Sequence, residues 1–300
     1  MADGVAILGL GLMGSAFAAH FIDEGRLVSG YDPDPDRRDE VVALGGETFE
    51  DVAGAVANAE FVVLSLPNSS IMLEVCEEIV AAGVPRAFVI DTTTGEPADS
   101  IAAAAKLTDA GHRYVDATIS GNAAQFRAKD VIFMVGGTAE DVDSANELLS
   151  PLARQVYALG DVGSGARAKL VVNHVLSINR AAVAEGLTVA EKAGIDLNAM
   201  LEVLRDSAAN SRAMDIWGER MIEADYYPPA SRIRQGHKDS RLINGHADAV
   251  GASHELVRAV RQIYAEAEAG GLGDADQSSL MELMRRRADI GQLPIQGDEG

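Results

Sequence analysis

The chain contains 300 residues, 47% of them apolar, and its 46 acidic and 25 basic side chains give a formal net charge of −21. This length predicts two domains that each bury a core, whereas the charge argues against a nucleic-acid partner, because polyphosphate binding needs clustered Lys and Arg. No apolar run reaches the roughly 18 residues of a membrane span, so we expect a cytoplasmic protein without a membrane partner.

The first 160 residues alternate short apolar, β-branched runs with amphipathic stretches. This alternation predicts a mostly parallel, doubly wound sheet flanked by helices, an α/β domain over residues 1–162. The predicted strands are 5–9, 27–32, 61–66, 87–92, 113–118 and 131–136. The predicted helices include 13–24, 51–59, 70–82 and 97–110.

After Gly165 the strand pattern stops and helical periodicity dominates. The predicted helices are 166–193, 198–209, 211–224, 238–250, 253–269 and 275–288. We therefore predict an all-α domain over residues 163–290, which begins with a long helix able to bridge the two domains or to pack on a partner subunit. Residues 291–300 are rich in Gly and acids and predict a flexible tail.

A glycine fingerprint follows the first predicted strand, in the run Gly9-Leu10-Gly11-Leu12-Met13-Gly14. Gly9 permits a tight turn, Gly11 lets the backbone approach a pyrophosphate, and Gly14 allows a helix to pack closely on the strand. The free N–H groups at the start of that helix would bind the phosphates. The fingerprint predicts a Rossmann-type site for a dinucleotide.

Asp32 stands at the end of the second predicted strand, the position of the acid that binds the adenosine ribose. Its carboxylate would accept hydrogen bonds from the ribose hydroxyls and repel a 2′-phosphate, which favours NAD over NADP. Arg37 and Arg38 follow closely and leave NADP open, although solvated helix charges are the simpler interpretation of both.

Two later strand ends are expected beside the cofactor, because ligands of such sheets lie at the carboxyl ends of strands. They are the runs 65–68 and 91–97. A structural interpretation stays open for both: Asn68 and Thr94 could cap the following helices, with Pro97 in a first turn.

Lys169 and Asn173 lie four residues apart in the long predicted helix, just after Gly163 and Gly165. They would stand one turn apart on one face. A cationic proton donor and a neutral amide there suit a carbonyl oxygen that must be protonated, which indicates a dehydrogenase. No histidine has metal-ligand spacing to cysteines or acids, so we expect no metal.

These motifs together resemble the β-hydroxyacid dehydrogenase family, which includes 3-hydroxyisobutyrate dehydrogenases and tartronate semialdehyde reductases. The run 163–173 fits the family's catalytic pattern Gly-x-Gly-x-x-x-Lys-x-x-x-Asn, and 116–122 is similar to its substrate loop, Asp-Ala-Pro-Val-Ser-Gly-Gly. Lys238 and Asp239 fit a Lys-Asp pair of the family's helical domain.

The resemblance implies an NAD(P)-dependent oxidoreductase that interconverts a short β-hydroxy acid and its semialdehyde, a small anionic substrate. It implies that Lys169 is the general acid/base and that Asn173 holds the reacting oxygen. It also implies a homodimer or homotetramer. Ser120 and Gly121 would bind the substrate carboxylate; the implied cofactor contacts are Leu66, Pro67, Thr94 and Lys238.

The substrate loop departs from the family pattern at three positions. Asn122 replaces the second loop glycine and adds a side chain where backbone normally holds the substrate. Asparagine tolerates left-handed geometry, so the turn is expected to survive. Thr118 and Ile119 replace Pro and Val, a milder change. We therefore include Asn122 in the predicted substrate site, and its effect on substrate identity stays open.

Three alternatives remain. An imine reductase has a similar architecture but usually carries Asp or Tyr where this chain has Lys169. A phosphogluconate-type dehydrogenase needs arginines gathered round a phosphate, and only the unpatterned Arg232 and Arg234 are available. A protein that binds NAD without turnover has no need of Lys169, Asn173 and Ser120 together.

Overall fold

The computed structural model describes residues 4–291. Its strands are β1 (Gly4–Leu8), β2 (Leu27–Tyr31), β3 (Glu47–Thr48), β4 (Phe61–Leu64), β5 (Phe88–Asp91), β6 (Arg113–Ser120), β7 (Ile132–Gly136) and β8 (Gln155–Ala158). They form one sheet in the order β3-β2-β1-β4-β5-β6-β7-β8. Neighbouring strands are parallel except for β6 and β7, which are antiparallel.

The helices of this part of the chain are α1 (Leu12–Asp23), α2 (Pro35–Ala43), α3 (Val52–Val56), α4 (Ser69–Ala81), α5 (Pro97–Asp109), α6 (Ala123–Arg127) and α7 (Ala139–Leu149). From β1 the chain adds β2 and β3 on one side, and then returns to place β4 on the other side. This reversal is the switch point at which such sheets bind ligands. The predicted doubly wound fold is confirmed.

The central strand β1 is buried on both faces. Val5 and Ile7 pack in one apolar cluster with Phe17 of α1, whereas Ala6 and Leu8 belong to a second cluster on the other face. Successive side chains of a strand point to opposite faces. Because both faces are covered, the strand is a continuous apolar run, and the sequence predicted it within one residue at each end.

Several short or peripheral elements were not predicted. Strand β3 has only two residues. Strand β8 lies at the edge of the sheet, and most of its residues are exposed. An edge strand is covered less than a central one, so it needs no continuous apolar run. Helix α6 spans five residues, too few to establish a helical period.

The later helices are α8 (Ser164–Lys192), α9 (Leu197–Asp206), α10 (Arg212–Glu223), α11 (Ile233–Ala249), α12 (Glu255–Ala267) and α13 (Leu280–Arg287). The predicted all-α architecture after Gly165 is confirmed. Helix α11 begins at Ile233 rather than at 238. Gly236 lies inside it because a Cβ there would meet Tyr264 Cε1 at 2.5 Å and Gln277 Oε1 at 2.7 Å, so packing overrides the low helix propensity of glycine.

Contacts between Cα atoms divide the chain into one unit, Met1–Lys169, and a second, Leu170–Gly300. Helix α8 contributes its first turns to the first unit and the rest to the second. The assignment of residues 163–290 to substrate binding and dimerisation stays a prediction. The predicted tail 291–300 lies, apart from Gly291, outside the described residues.

Between residues 4 and 291, the helices lack the combination of length and apolarity that crossing a membrane requires.

Candidate active site

The turn between β1 and α1 uses its three glycines for different purposes. Gly9 has φ +91° and its N–H donates to Tyr31 O at 2.9 Å. A Cβ on Gly14 would collide with the Gly9 carbonyl oxygen. A Cβ on Gly11 would meet the Arg37 Nη1 atom at 3.3 Å, the movable end of a half-exposed side chain. Gly9 and Gly14 thus fix the turn, and Gly11 leaves its surface accessible.

The start of α1 fits the phosphates of a dinucleotide. Gly11 is the N-cap and has no side chain to bond the first N–H groups of the helix. Such N–H groups lack partners within the helix and are available to an anion. The Leu10 side chain is buried and its N–H donates to Asp32, whereas Leu12 is 64% exposed and Met13 is partly buried. In this segment, backbone groups rather than apolar side chains suit the phosphates.

Asp32 is buried at the end of β2, where backbone groups hold its carboxylate. Oδ2 accepts from Leu10 N at 2.8 Å, and Oδ1 accepts from Asp34 N at 3.0 Å. Arg37 Nη1 lies 3.5 Å from Oδ2, and Arg38 Nη1 donates to the Asp32 carbonyl oxygen at 2.7 Å. The carboxylate is therefore oriented beside the glycine turn, with two guanidinium groups around it.

The strand ends after β4 and β5 are joined by a hydrogen bond from Leu66 N to Thr93 Oγ1 at 3.3 Å. Leu66 and Thr94 are partly buried and Pro67 is exposed. Asn68 caps α4, as expected, by accepting from Ile71 N at 3.0 Å. The expected cap by Thr94 is wrong: Glu96 is the N-cap of α5, because Pro97 takes its first position.

Two polar side chains of β6 hold the start of α8. Asp116 Oδ1 accepts from Gly163 N at 2.7 Å, and its Oδ2 accepts from Ala166 N at 2.7 Å. Thr118 Oγ1 donates to Gly165 O at 2.8 Å. The two glycines of the Gly-x-Gly motif therefore allow a helix to begin in direct contact with a strand.

Burial raises the pKa of Asp116 to about 6. The Gly163 and Ala166 N–H groups oppose this rise, and the negative charge of Asp91 adds to it. Asp91 lies opposite Asp116 in the β5–β6 register. Its own pKa is also raised to about 6 by burial, against hydrogen bonds from Thr93 and Tyr114. Two neighbouring buried carboxyl groups thus titrate close to neutral pH.

Lys169 follows one turn after Gly165, and its Nζ donates to the Ile119 carbonyl oxygen at 2.5 Å. Ile119 precedes Ser120, the last residue of β6. The structure therefore brings the ammonium group into the predicted substrate loop, to the residue that precedes Ser120.

Within that loop, Gly121 rather than Asn122 takes the positive φ, of +145°, and a Cβ there would meet Val131 Cγ1 at 2.5 Å. Asn122 has φ −101°, so the left-handed conformation that asparagine tolerates is not needed there. Its side chain accepts from Gln125 N at 2.9 Å, and Gln125 Oε1 accepts from Asn122 N at 2.9 Å. This capping box directs the Asn122 amide to the start of α6.

The second unit brings Asn173 and Lys238 to one carboxylate. Asn173 Nδ2 donates to Asp239 Oδ2 at 3.2 Å, and Lys238 Nζ lies 3.2 Å from Asp239 Oδ1. Helix α8 carries Asn173 and α11 carries the other two. Asp239 can therefore orient both the amide and the ammonium group. In the part of the chain that the structure describes, no three His, Cys, Asp or Glu side chains are grouped to hold a metal.

Sequence reasoning did not assign a role to Asp116, Thr118 or Asp239. The signal for the first two was available: they are polar residues at alternate positions within the buried middle of β6, so one face of that strand had to find polar partners. For Asp239 the resemblance gave only a Lys-Asp pair, because its contact with Asn173 spans 66 residues.

Two family models match the chain in succession. The NAD binding domain of 6-phosphogluconate dehydrogenase matches residues 4–160. The model described as the NAD-binding domain of NADP-dependent 3-hydroxyisobutyrate dehydrogenase matches residues 163–284.

Several known proteins are similar over nearly the whole chain. Chloroplastic glyoxylate/succinic semialdehyde reductase 2 of Arabidopsis thaliana is 29% identical over 284 residues, 94% of this chain and 79% of that protein. A probable 3-hydroxyisobutyrate dehydrogenase of Mycobacterium tuberculosis is 29% identical over 291 residues, 95% of this chain and 99% of that protein. The solved structure of Mycobacterium tuberculosis 3-hydroxyisobutyrate dehydrogenase with L-serine is 28% identical, covers 95% of this chain and 100% of that chain, and has a TM-score of 0.86. Since one model alone spans residues 4–160 and the two reach from residue 4 to residue 284, the chain belongs to the β-hydroxyacid dehydrogenase family of NAD(P)-dependent oxidoreductases.

Proposed function

We propose that this chain interconverts a short β-hydroxy acid and its semialdehyde, with Lys169 as the general acid/base. The observation that supports the proposal is the position of the Lys169 ammonium group, 2.5 Å from the Ile119 carbonyl oxygen and beside Ser120. A lysine held within a loop that presents a hydroxyl and a glycine backbone suits an anionic substrate with a reacting oxygen.

When bound, the nicotinamide supplies the hydride in reduction and accepts it in oxidation. In reduction Lys169 donates a proton from Nζ to the aldehyde oxygen, and in oxidation it removes the hydroxyl proton. Asn173, one turn further along α8, donates an amide hydrogen to the same oxygen. Asp239 holds that amide through its 3.2 Å hydrogen bond and lies 3.2 Å from Lys238, which contacts the cofactor in this proposal.

The substrate carboxylate binds to the Ser120 hydroxyl and to the Gly121 backbone. Asn122 supports the loop through its side-chain cap, because its Oδ1 accepts from Gln125 N at the start of α6. The loop can therefore keep a compact turn around the substrate although it lacks the second glycine of the family pattern.

A panel assay tests the function. NADH and NADPH absorbance is followed with 3-hydroxyisobutyrate, other β-hydroxy acids, short semialdehydes, 6-phosphogluconate and a cyclic imine. Turnover of β-hydroxy acids or semialdehydes is the expected result. Turnover of the imine or the phosphogluconate alone would contradict the proposal, and cofactor binding without any turnover would identify a non-catalytic NAD-binding protein.

The Asp32 carboxylate should make the protein prefer NAD over NADP. We expect Asp32→Ser to raise kcat/KM for NADP relative to NAD by about 10–100-fold, or about 1.4–2.7 kcal/mol, because a negative charge facing a 2′-phosphate disfavours NADP. Arg37, which is now 3.5 Å from that carboxylate, would then pair with the phosphate. The variant Asp32→Ser/Arg37→Ala should lose much of the gain. A wild type that prefers NADP would show that the ribose site has been misread.

A homodimer or homotetramer is proposed from the family resemblance. It is supported by an apolar stripe on the exposed side of α8, formed by Val171, Val175 and Val189, which are 60%, 55% and 64% exposed. These positions share one helix face. Light scattering should give a mass of two or four chains, and Val175→Glu should lower it. A monomeric wild type would contradict the proposal.

A further inference from the structure

The contact between β6 and α8 is closer than packing alone requires. A Cβ on Gly165 would meet the Asp116 carbonyl oxygen at 2.6 Å and Asp116 Oδ2 at 2.9 Å. Gly163 has φ +89°, which brings its N–H to Oδ1 of the same carboxylate. Side chain and main chain of Asp116 therefore both touch the first turn of α8, and the register between strand and helix is fixed.

This register determines where the ammonium group of Lys169 lies. Gly165 and Lys169 are four residues apart on one helix face, and their partners on β6 are Thr118 Oγ1 and the Ile119 carbonyl oxygen. A shift of α8 by one residue would rotate Lys169 by about 100° and translate it by about 1.5 Å. A displacement of about 1 Å can lower a rate about 100-fold.

We propose that Asp116 is a positioning residue for Lys169: its carboxylate binds the Gly163 and Ala166 N–H groups and thereby sets the proton-transfer geometry. The inference rests on the proposed role of Lys169. A carboxylate offers two equivalent acceptors and interacts favourably with a helix N-terminus. A protonated carboxyl group keeps one good acceptor and loses the charge, so the contact weakens when Asp116 binds a proton.

The titratable groups that face Asp116 are Asp91 from β5 and Tyr114 from β6 itself, whose hydroxyl donates to Asp91 Oδ2 at 2.8 Å. Burial, with a smaller contribution from the negative charge of Asp91, raises the pKa of Asp116 to about 6, above its ordinary value of 3.8. The contribution of this group to stability is therefore fully present below pH 3.8 and is lost as the pH rises through about 6. The positioning of Lys169 requires the ionised carboxylate of Asp116. It therefore improves as the pH rises through about 6, whereas the contribution of Asp116 to stability is lost over the same range.

Activity and stability should thus separate in the wild type. From pH 7 to pH 5 we expect kcat to fall about tenfold, as one group with a pKa near 6 would dictate, while the melting temperature does not fall. The amide shifts of Gly163 and Ala166, measured by NMR without cofactor, should titrate with a midpoint near pH 6. Shifts that stay constant between pH 5 and pH 8, or a loss of kcat that follows unfolding, would overturn the proposal.

The variant Asp116→Asn keeps the shape and removes one acceptor. We expect kcat to fall about 10–100-fold and the Kd of the cofactor to change less than about twofold. The decrease of kcat between pH 7 and pH 5 should also disappear from the pH profile. Asp51→Asn is the matched control, because Asp51 caps α3 through Gly54 N at 2.7 Å and should leave kcat unchanged. The inference would be overturned if the kcat of Asp116→Asn stayed within about twofold of the wild type and still decreased between pH 7 and pH 5.

Two failures are distinguishable. A wild type that turns over no β-hydroxy acid or semialdehyde contradicts the proposed function, whereas a wild type and Asp116→Asn that are equally active contradict only the positioning role. If Asp116→Asn does not fold, the wild-type amide titration and the comparison of kcat with melting temperature decide the question.

Discussion

Replacing Lys169 with alanine is expected to lower kcat by about 10²–10⁴-fold, the usual contribution of a general acid/base. Lys169→Arg should be impaired to a similar degree, because arginine keeps the charge but does not release its proton at neutral pH. The cofactor Kd should change little in both variants. Stopped-flow and steady-state measurements of NADH formation would give the rates.

Lys192→Ala is the matched control. Lys192 lies at the end of the same helix and also donates to a backbone carbonyl oxygen, that of Ala288 at 2.6 Å. Its loss should leave kcat unchanged. If Lys169→Arg retained full activity, the lysine would act through its charge alone, and equal activity of Lys169→Ala and wild type would remove it from the mechanism.

Gly165→Ala is expected to lower the free energy of unfolding by about 3 kcal/mol or more. The new Cβ would collide with the Met134 carbonyl oxygen and lie 2.6 Å from the Asp116 carbonyl oxygen. Both are backbone atoms of a central sheet, so the helix rather than the strand has to move. Denaturant unfolding of wild type and variant gives the difference.

Gly245→Ala is the control for this prediction. Gly245 is inside α11, and a Cβ there has no atom within 4 Å among the described residues. Alanine should therefore stabilise the protein by about 0.5–1 kcal/mol through its higher helix propensity. A Gly165→Ala variant as stable as the wild type would show that α8 does not pack on β6 as closely as described.

The sequence predicted best those features whose cause is local. The turn at Gly9, Gly11 and Gly14 follows from a strand that must pass at once into a helix. The ends of α8 were predicted within two residues because helical periodicity persists through Ser164–Lys192.

The poorly predicted features depend on partners that are distant along the chain. Asp116 meets Gly163 across 47 residues, and Asn173 meets Asp239 across 66. No local pattern states such a pairing. The start of α11 was missed for the same reason, since Gly236 is fixed by Tyr264 and Gln277 rather than by its neighbours.

Asn122 shows how a departure from a family pattern can be accommodated. The side chain of Asn122 stands where the family pattern has glycine, and its contribution to the substrate turn was left open by the sequence. In the structure Gly121 supplies the unusual backbone conformation, and Asn122 bonds to Gln125 at the start of α6. The substitution is therefore compatible with a working loop.

The central claim is that the Lys169 ammonium group transfers the proton to and from the substrate oxygen. A crystal structure with NAD and a β-hydroxy acid bound tests it most directly. We expect a distance of about 2.6–3.2 Å between Lys169 Nζ and the hydroxyl oxygen, with the Ser120 hydroxyl bound to the substrate carboxylate. A complex in which that oxygen is hydrogen-bonded to other side chains, while Lys169 Nζ lies beyond reach of it, would contradict the account.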